Sequence, residues 1–143
     1  MIIETNTDRE TLELGISLGE KAVKGTIICL DGDLGTGKTV IAKGIALGLG
    51  INEPVSSPTF TVVKEYDDGK LPLYHFDVYR IEDPSEMEEI GYEDYFFGDG
   101  VTVIEWSDMI RELIPEEAIR IRLKKDPQKG FDYRKIEIEE GAK

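Results

Sequence analysis

The sequence predicts an α/β fold: a mainly parallel central sheet flanked by helices, with antiparallel strands at the C-terminal edge. Three observations carry that expectation. A continuous apolar run, "TIICLDG", leads into a glycine-rich turn and then straight into a helical pattern. A second such run, "VTVIE", lies between helical stretches, as buried parallel strands do. The tail alternates instead, in "AIRIRLKK" and "RKIEIEE", which is the pattern of antiparallel edge strands.

The elements follow in order. In "TDRE", Thr7 is placed to cap a helix and Glu10 to close the capping box. Leu14, Leu18 and Ala22 keep helical spacing behind it, and Leu12 and Ile16 widen the apolar face. "GTIICLDG" is a buried strand that ends at Gly32. A helix opens near Lys38, carries Val40, Ile41, Ile45 and Leu49 on one side, and stops where Gly50 can cap it. "INEPVSSPTF" reads as a loop. "TVVKEY" and "LPLYHFDVY" pair across the turn "DDGK". "EDPSEMEEIGYEDYFFGDG" holds two short helices, the first capped by Asp83 or Ser85, with the aromatic group "YEDYFF" anchoring a helix to the sheet. "SDMIRELIP" is a short helix capped by Ser107 and ended by Pro115. With 143 residues and no repeat or long linker, one domain over 1–143 is expected. Its motifs fall within about 7–106 and its C-terminal edge strands within about 117–139.

Composition narrows the function. Hydrophobic residues are 40% and charged residues 33%, ordinary for a globular chain. The net charge of -13 disfavours direct contact with nucleic acid or acidic membranes, and no basic run exceeds two residues, as in Lys124-Lys125. The single cysteine, Cys29, lies in an apolar run and reads as a buried small hydrophobe. The N-terminus lacks a basic start and an apolar core, and no stretch approaches the roughly 20 apolar residues of a membrane helix. A cytoplasmic location is expected.

"GDLGTGKT", Gly32 to Thr39, carries the chemistry. Between a strand and a helix this spacing defines a P-loop, and the expectation becomes a single P-loop NTPase-like domain. Gly32, Gly35 and Gly37 permit the torsions that turn backbone N–H groups toward a phosphate. Lys38 is placed to reach the β- and γ-phosphates and Thr39 to face magnesium. Asp33, Leu34, Thr36 and Val40 complete the candidate nucleotide-binding set. An acid at the end of a neighbouring strand completes such a site, and two strands supply one. Glu105 ends "VTVIE" and is assigned to the metal. Asp77 ends "LYHFD" and is assigned to water, the metal shell or a switch. Lys38, Asp77 and Glu105 are the candidate catalytic residues. "SSPTF" supplies a switch loop at Ser57, Pro58 and Thr59, with Thr59 and Thr61 as candidate hydroxyls. His75, the only histidine, reads as a core or edge residue, and Trp106 as a core residue. No guanine-recognition "NKxD" pattern follows, and Arg80 and Arg111 are the only arginines between Arg9 and Arg120, too few for a kinase lid.

"GDLGTGKT", "SSPTF", "YHFDVYRIEDPSEMEEIGYEDYF" and "VIEW", in this order and spacing, resemble the TsaE (YjeE) family over about Thr7 to Trp106. The resemblance implies a small ATPase of the tRNA threonylcarbamoyladenosine pathway that binds ATP with Mg2+ and hydrolyses it slowly alone. It implies TsaD and TsaB as partners, whose complex the ATPase activates or resets, with tRNA met only through them. It assigns Thr39 and Glu105 to magnesium, Leu34 through Thr39 to phosphate and Asp77 to activity. It adds Thr7 as a nucleotide contact and gives Ser57-Pro58-Thr59 a switch-like role. Arg80 is the nearest candidate for an arginine finger. The alternative is a nucleotide-gated binding module controlled by ATP occupancy without turnover, and a small-molecule kinase is third.

Overall fold

The computed structural model describes residues 1–58 and 60–141. Its elements are β1 (Ile2–Thr5), α1 (Asp8–Lys21), β2 (Ile27–Gly32), α2 (Lys38–Gly48), β3 (Val63–Tyr66), β4 (Leu73–Asp77), α3 (Glu86–Ile90), α4 (Tyr92–Phe96), β5 (Val101–Glu105), a 3-10 segment (Ser107–Leu113), β6 (Ile119–Lys125) and β7 (Arg134–Glu139). The strands form one sheet in the order β1-β7-β6-β2-β5-β4-β3. β6, β2, β5 and β4 run parallel, and β3, β7 and β1 run antiparallel to their neighbours. Among the described residues no helix is long and apolar enough to cross a membrane.

The continuous apolar runs are strands covered on both faces. On β2, Ile28 and Leu30 join the core beneath α1 and α2, while Ile27 and Cys29 join the core beneath α3 and α4. On β5, Val101 and Val103 face the first core and Ile104 the second. The aromatic group does anchor α4: Phe76 of β4 meets the edges of Tyr95 and Phe96 at 5.4 and 5.5 Å between centroids. Cys29 is fully buried, and burial pushes its thiol up to about 11.

Local chemistry sets the helix ends. Thr7 Oγ1 accepts the N–H of Glu10 at 3.1 Å, and the Glu10 carboxylate reaches back to the N–H of Asn6 at 2.8 Å. Gly50, at φ 81, ends α2: its N–H donates to Leu47 O and that of Ile51 to Ala46 O, a Schellman cap.

Three details depart from the sequence reading. β6 pairs antiparallel with β7 as expected, but it also lies inside the sheet, parallel to β2. The outermost strand on that side is β1, which no sequence pattern announces; the N-terminal ammonium donates to Ile138 O at 3.0 Å. Ser107 does not cap its helix. The segment is 3-10 and is entered through Trp106 at φ 63, because the Ser107 hydroxyl donates to the Asp31 carboxylate instead.

α1 and α2 pack backbone to backbone through glycines. A Cβ on Gly19 would lie 2.2 Å from Ile45 O, and one on Gly48 would lie 2.2 Å from Ile16 O. Alanine favours a helix over glycine by about 1 kcal/mol. The forced separation should outweigh that gain, so Gly19→Ala is predicted to destabilise the protein by about 1–3 kcal/mol net. Urea denaturation measures this, and an unchanged or raised midpoint would show that the helices separate without cost.

Candidate functional site

The C-terminal ends of β2, β5 and β4 meet at one cleft of about 440 Å³. In the ladder, Glu105 pairs with Leu30 on one side and Asp77 on the other. Bonding continues past the strand ends: Trp106 N–H donates to Leu30 O at 3.0 Å and Val78 N–H to Glu105 O at 3.2 Å. Both strand-end acids are buried and held side by side at the mouth of the glycine-rich loop.

That loop is braced from within. Thr36 Oγ1 donates to Asp33 O at 2.8 Å. Gly32 is required for contact as well as torsion, since a Cβ there would sit 2.5 Å from Leu123 O. Lys38 Nζ donates to Gly32 O at 2.7 Å and Asp33 O at 2.9 Å, and lies 4.0 Å from the centre of the Trp106 ring. Burial lowers the Lys38 ammonium's pKa, against the opposing pull of Glu105, Asp31, Asp33 and Asp77.

The polar pairs converge. Thr39 Oγ1 donates to Glu105 Oε1 at 3.2 Å, and Glu105 Oε2 lies 2.6 Å from His75 Nε2. Asp77 Oδ2 accepts the Ser57 hydroxyl at 2.6 Å and Oδ1 accepts the N–H of Tyr79 at 3.1 Å. Leu34, Gly35, Gly37, Lys38, Thr39, Val40, Ser57, Asp77 and Glu105 line the cleft together. Gly32, Asp33 and Thr36 shape the loop behind it. Thr7 does not line it: its hydroxyl serves the helix cap and the neighbouring Asp8 lines the wall. Pro58 is buried, Thr61 is exposed, and Thr59 lies outside the described residues. Arg80 is exposed, with its guanidinium over the Phe60 ring.

Sequence reasoning missed three contributors. Trp106 reads as a core residue from the sequence. It is half-buried, and it turns at φ 63 to stack over Lys38 and beside Tyr79 as a cleft wall. His75 is a core residue as expected, but it is bonded to Glu105. Period-two placement before Asp77 was the available signal. Arg134, at the start of β7, is buried and donates to Thr36 O at 2.8 Å, Gly35 O at 3.4 Å, Phe131 O at 3.0 Å and Tyr133 O at 2.7 Å. No local pattern announces it, because the loop it clasps is 98 and 99 residues away.

A second groove, on the other face of β6, reaches Asp31. Burial raises the Asp31 carboxyl's pKa, opposed by the Ser107 hydroxyl and the Asp108 N–H, which donates at 3.1 Å. These bonds tie the residue before the loop to the segment after Glu105.

Comparison with known proteins finds relatives over most of the chain. A family model described as "Threonylcarbamoyl adenosine biosynthesis protein TsaE" matches residues 5–136. The chain is 51% identical over 115 residues to the Bacillus subtilis "tRNA threonylcarbamoyladenosine biosynthesis protein TsaE", covering 80% of this chain and 70% of that one. It is 49% identical over 106 residues to the Nostoc protein of the same name, covering 71% and 65% respectively. The crystal structure of Bacillus subtilis YdiB matches with a TM-score of 0.81 at 40% identity, over 95% of this chain and 82% of that one.

Asp31 yields a prediction with a definite sign. A carboxyl whose folded pKa is raised stabilises fully below its unfolded value, and that contribution is lost as pH rises through the folded value. Asp31→Asn removes the charge, keeps an acceptor for the Asp108 N–H and turns an amide N–H toward the Ser107 hydroxyl, which can accept it. It should raise the denaturation midpoint more at pH 7 than at pH 3. An equal effect at both pH values would contradict the burial cost.

Proposed function

The chain belongs to the TsaE family, and on that premise we propose that it is a magnesium-dependent P-loop ATPase of tRNA threonylcarbamoyladenosine biosynthesis. The proposal extends to its partners: it activates or resets the TsaD–TsaB complex and meets tRNA only through that pair. The net charge of -13 supports an indirect contact with RNA.

The supporting observation is the Thr39–Glu105 pair, 3.2 Å apart at the mouth of the glycine-rich loop, with Asp77 on the adjacent strand. A hydroxyl and a carboxylate from loop and strand end are the donors that hold magnesium beside nucleotide phosphates. Among the described residues no group of three or more His, Cys, Asp or Glu could cage a metal. That suits an ion that keeps waters and takes its other ligands from phosphate. Thr39 and Glu105 would hold magnesium there, and it would supply positive charge to offset that of the phosphates.

The chain's own residues do the rest. The loop's N–H groups wrap the phosphates, at the N-terminus of α2 where the helix dipole favours anions. Lys38 has three protons; the Gly32 and Asp33 carbonyls take two, and the third is assigned to a phosphate oxygen. Arg134 holds Gly35 and Thr36 in place through their carbonyls. Asp77, oriented by Ser57 and the Tyr79 N–H, is assigned to the attacking water, and Ser57 couples the switch loop to that acid. Arg134 is committed to carbonyls, and Arg80 is exposed and outside the cleft lining, so neither is poised as a finger. Fingers accelerate related reactions roughly 10³–10⁵-fold. Slow turnover alone, raised by a partner, follows.

The test is phosphate release from ATP with magnesium, with and without TsaD–TsaB, alongside nucleotide binding. Stimulation by the pair is expected. Asp77→Asn should keep nucleotide and lose about 10²-fold or more in turnover. Nucleotide binding that regulates the complex with no turnover in any mixture would make the chain a nucleotide-gated module. Failure to bind nucleotide would end both readings.

A further inference from the structure

We propose that His75 is a positioning residue for Glu105: it holds one carboxylate oxygen from beneath, so that only the other faces Thr39 and the cleft. This deepens the reading above and rests on it, because the role of Glu105 toward magnesium belongs to that reading.

The geometry begins with register. β4 and β5 are parallel, with His75 opposite Val103 and Asp77 opposite Glu105. His75 and Asp77 are two apart and share a face, so Glu105 is the diagonal neighbour of His75 across the ladder. His75 is fully buried, and its Nε2 lies 2.6 Å from Glu105 Oε2.

The ring's other nitrogen fixes the direction of that bond. Nδ1 is buried and has no hydrogen-bond partner among the described residues. A proton there would be a buried N–H with no protein acceptor, which folded proteins avoid. The proton is therefore on Nε2, and it is donated to Oε2. Nor does packing alone explain a histidine here. An aliphatic side chain would fill the same space without stranding Nδ1, so what histidine adds is the Nε2–H.

The consequence falls on the other oxygen. An unrestrained glutamate can present either oxygen, or both, to a cation. With Oε2 held by His75, the carboxylate plane is set and Oε1 is the oxygen that meets the Thr39 hydroxyl. His75 then acts in the outer shell of the proposed magnesium site, where removing such a partner typically lowers metal affinity 10–100-fold.

The experiment compares the affinity of a non-hydrolysable ATP analogue in Mg2+ and in EDTA. His75→Leu should lower the Mg2+-dependent gain about tenfold or more while leaving affinity in EDTA unchanged. His75→Gln, whose amide can still donate, should recover most of the gain. An undiminished gain in His75→Leu overturns the proposal. The chain has one histidine, so its imidazole gives a single set of ¹⁵N signals without any variant at position 75. The wild type should show the proton on Nε2, in a signal that Glu105→Gln shifts. A proton on Nδ1, or a signal indifferent to Glu105→Gln, overturns the contact even if both His75 variants misfold. Metal-independent nucleotide binding by the wild type would instead overturn the parent reading.

Discussion

The parallel register through β2, β5 and β4 is the constraint on which the cleft depends. Leu30, Glu105 and Asp77 share one row of the ladder, and the glycine-rich loop leaves β2 just beyond it. A slip of one residue would turn both acids to the opposite face. There they would meet Ile27, Cys29, Phe76 and Ile104, with neither Thr39 nor Ser57 to bond them. Removing partners from a buried carboxylate costs several kcal/mol. Two apolar cores, one on each face, therefore fix the register, and the register fixes the site. The glycine contacts of α1 and α2 hold those two helices together from Ile41 to Gly48, over the first of these cores.

Charge is handled unevenly across this cleft. Lys38 and Arg134 are both buried, and neither has a carboxylate within ion-pair distance among the described residues. Backbone carbonyls solvate them instead. The acids are met by hydroxyls, a backbone N–H and an imidazole, with no Lys or Arg: Thr39 and His75 on Glu105, Ser57 and the Tyr79 N–H on Asp77. Carbonyls and hydroxyls stabilise charge without cancelling it, so opposite potentials persist a few ångströms apart. A chain that is acidic overall thus keeps a positive floor where an anion would sit.

Most of this was legible in the sequence wherever residues near in the chain decide the outcome. The capping box, the Gly50 cap, the loop with its lysine and threonine, and the acids ending two apolar strands all follow short-range rules. Contacts made across the sheet did not show. Arg134 looks like an ordinary alternating strand residue until β7 is placed beside the loop. Ser107 has the right chemistry for a cap, but Asp31 competes for its hydroxyl. β1 is too short to declare itself and becomes a strand only because β7 offers it an edge. His75 reads correctly as core, yet its second property, a polar contact with Glu105, required the register.

Among the described residues two non-glycine positions have left-handed backbone, and they say why local preference fails at this place. Val62 sits at φ 68 and Trp106 at φ 63, conformations that cost of order 1–3 kcal/mol each. Glycine would adopt both more readily, so stability of the turn alone does not account for either residue. Each turn is held by bonds to the site. Val62 N–H donates to Pro58 O while Val62 O accepts the N–H of Asp77, and Trp106 N–H completes the ladder to Leu30. Each side chain also does what glycine cannot: Val62 packs on the second core and Trp106 covers Lys38. Where local preference and the fold disagree, the disagreement falls on the residues that join the strand ends to the cleft, and that is where a site built at some cost to stability should show it.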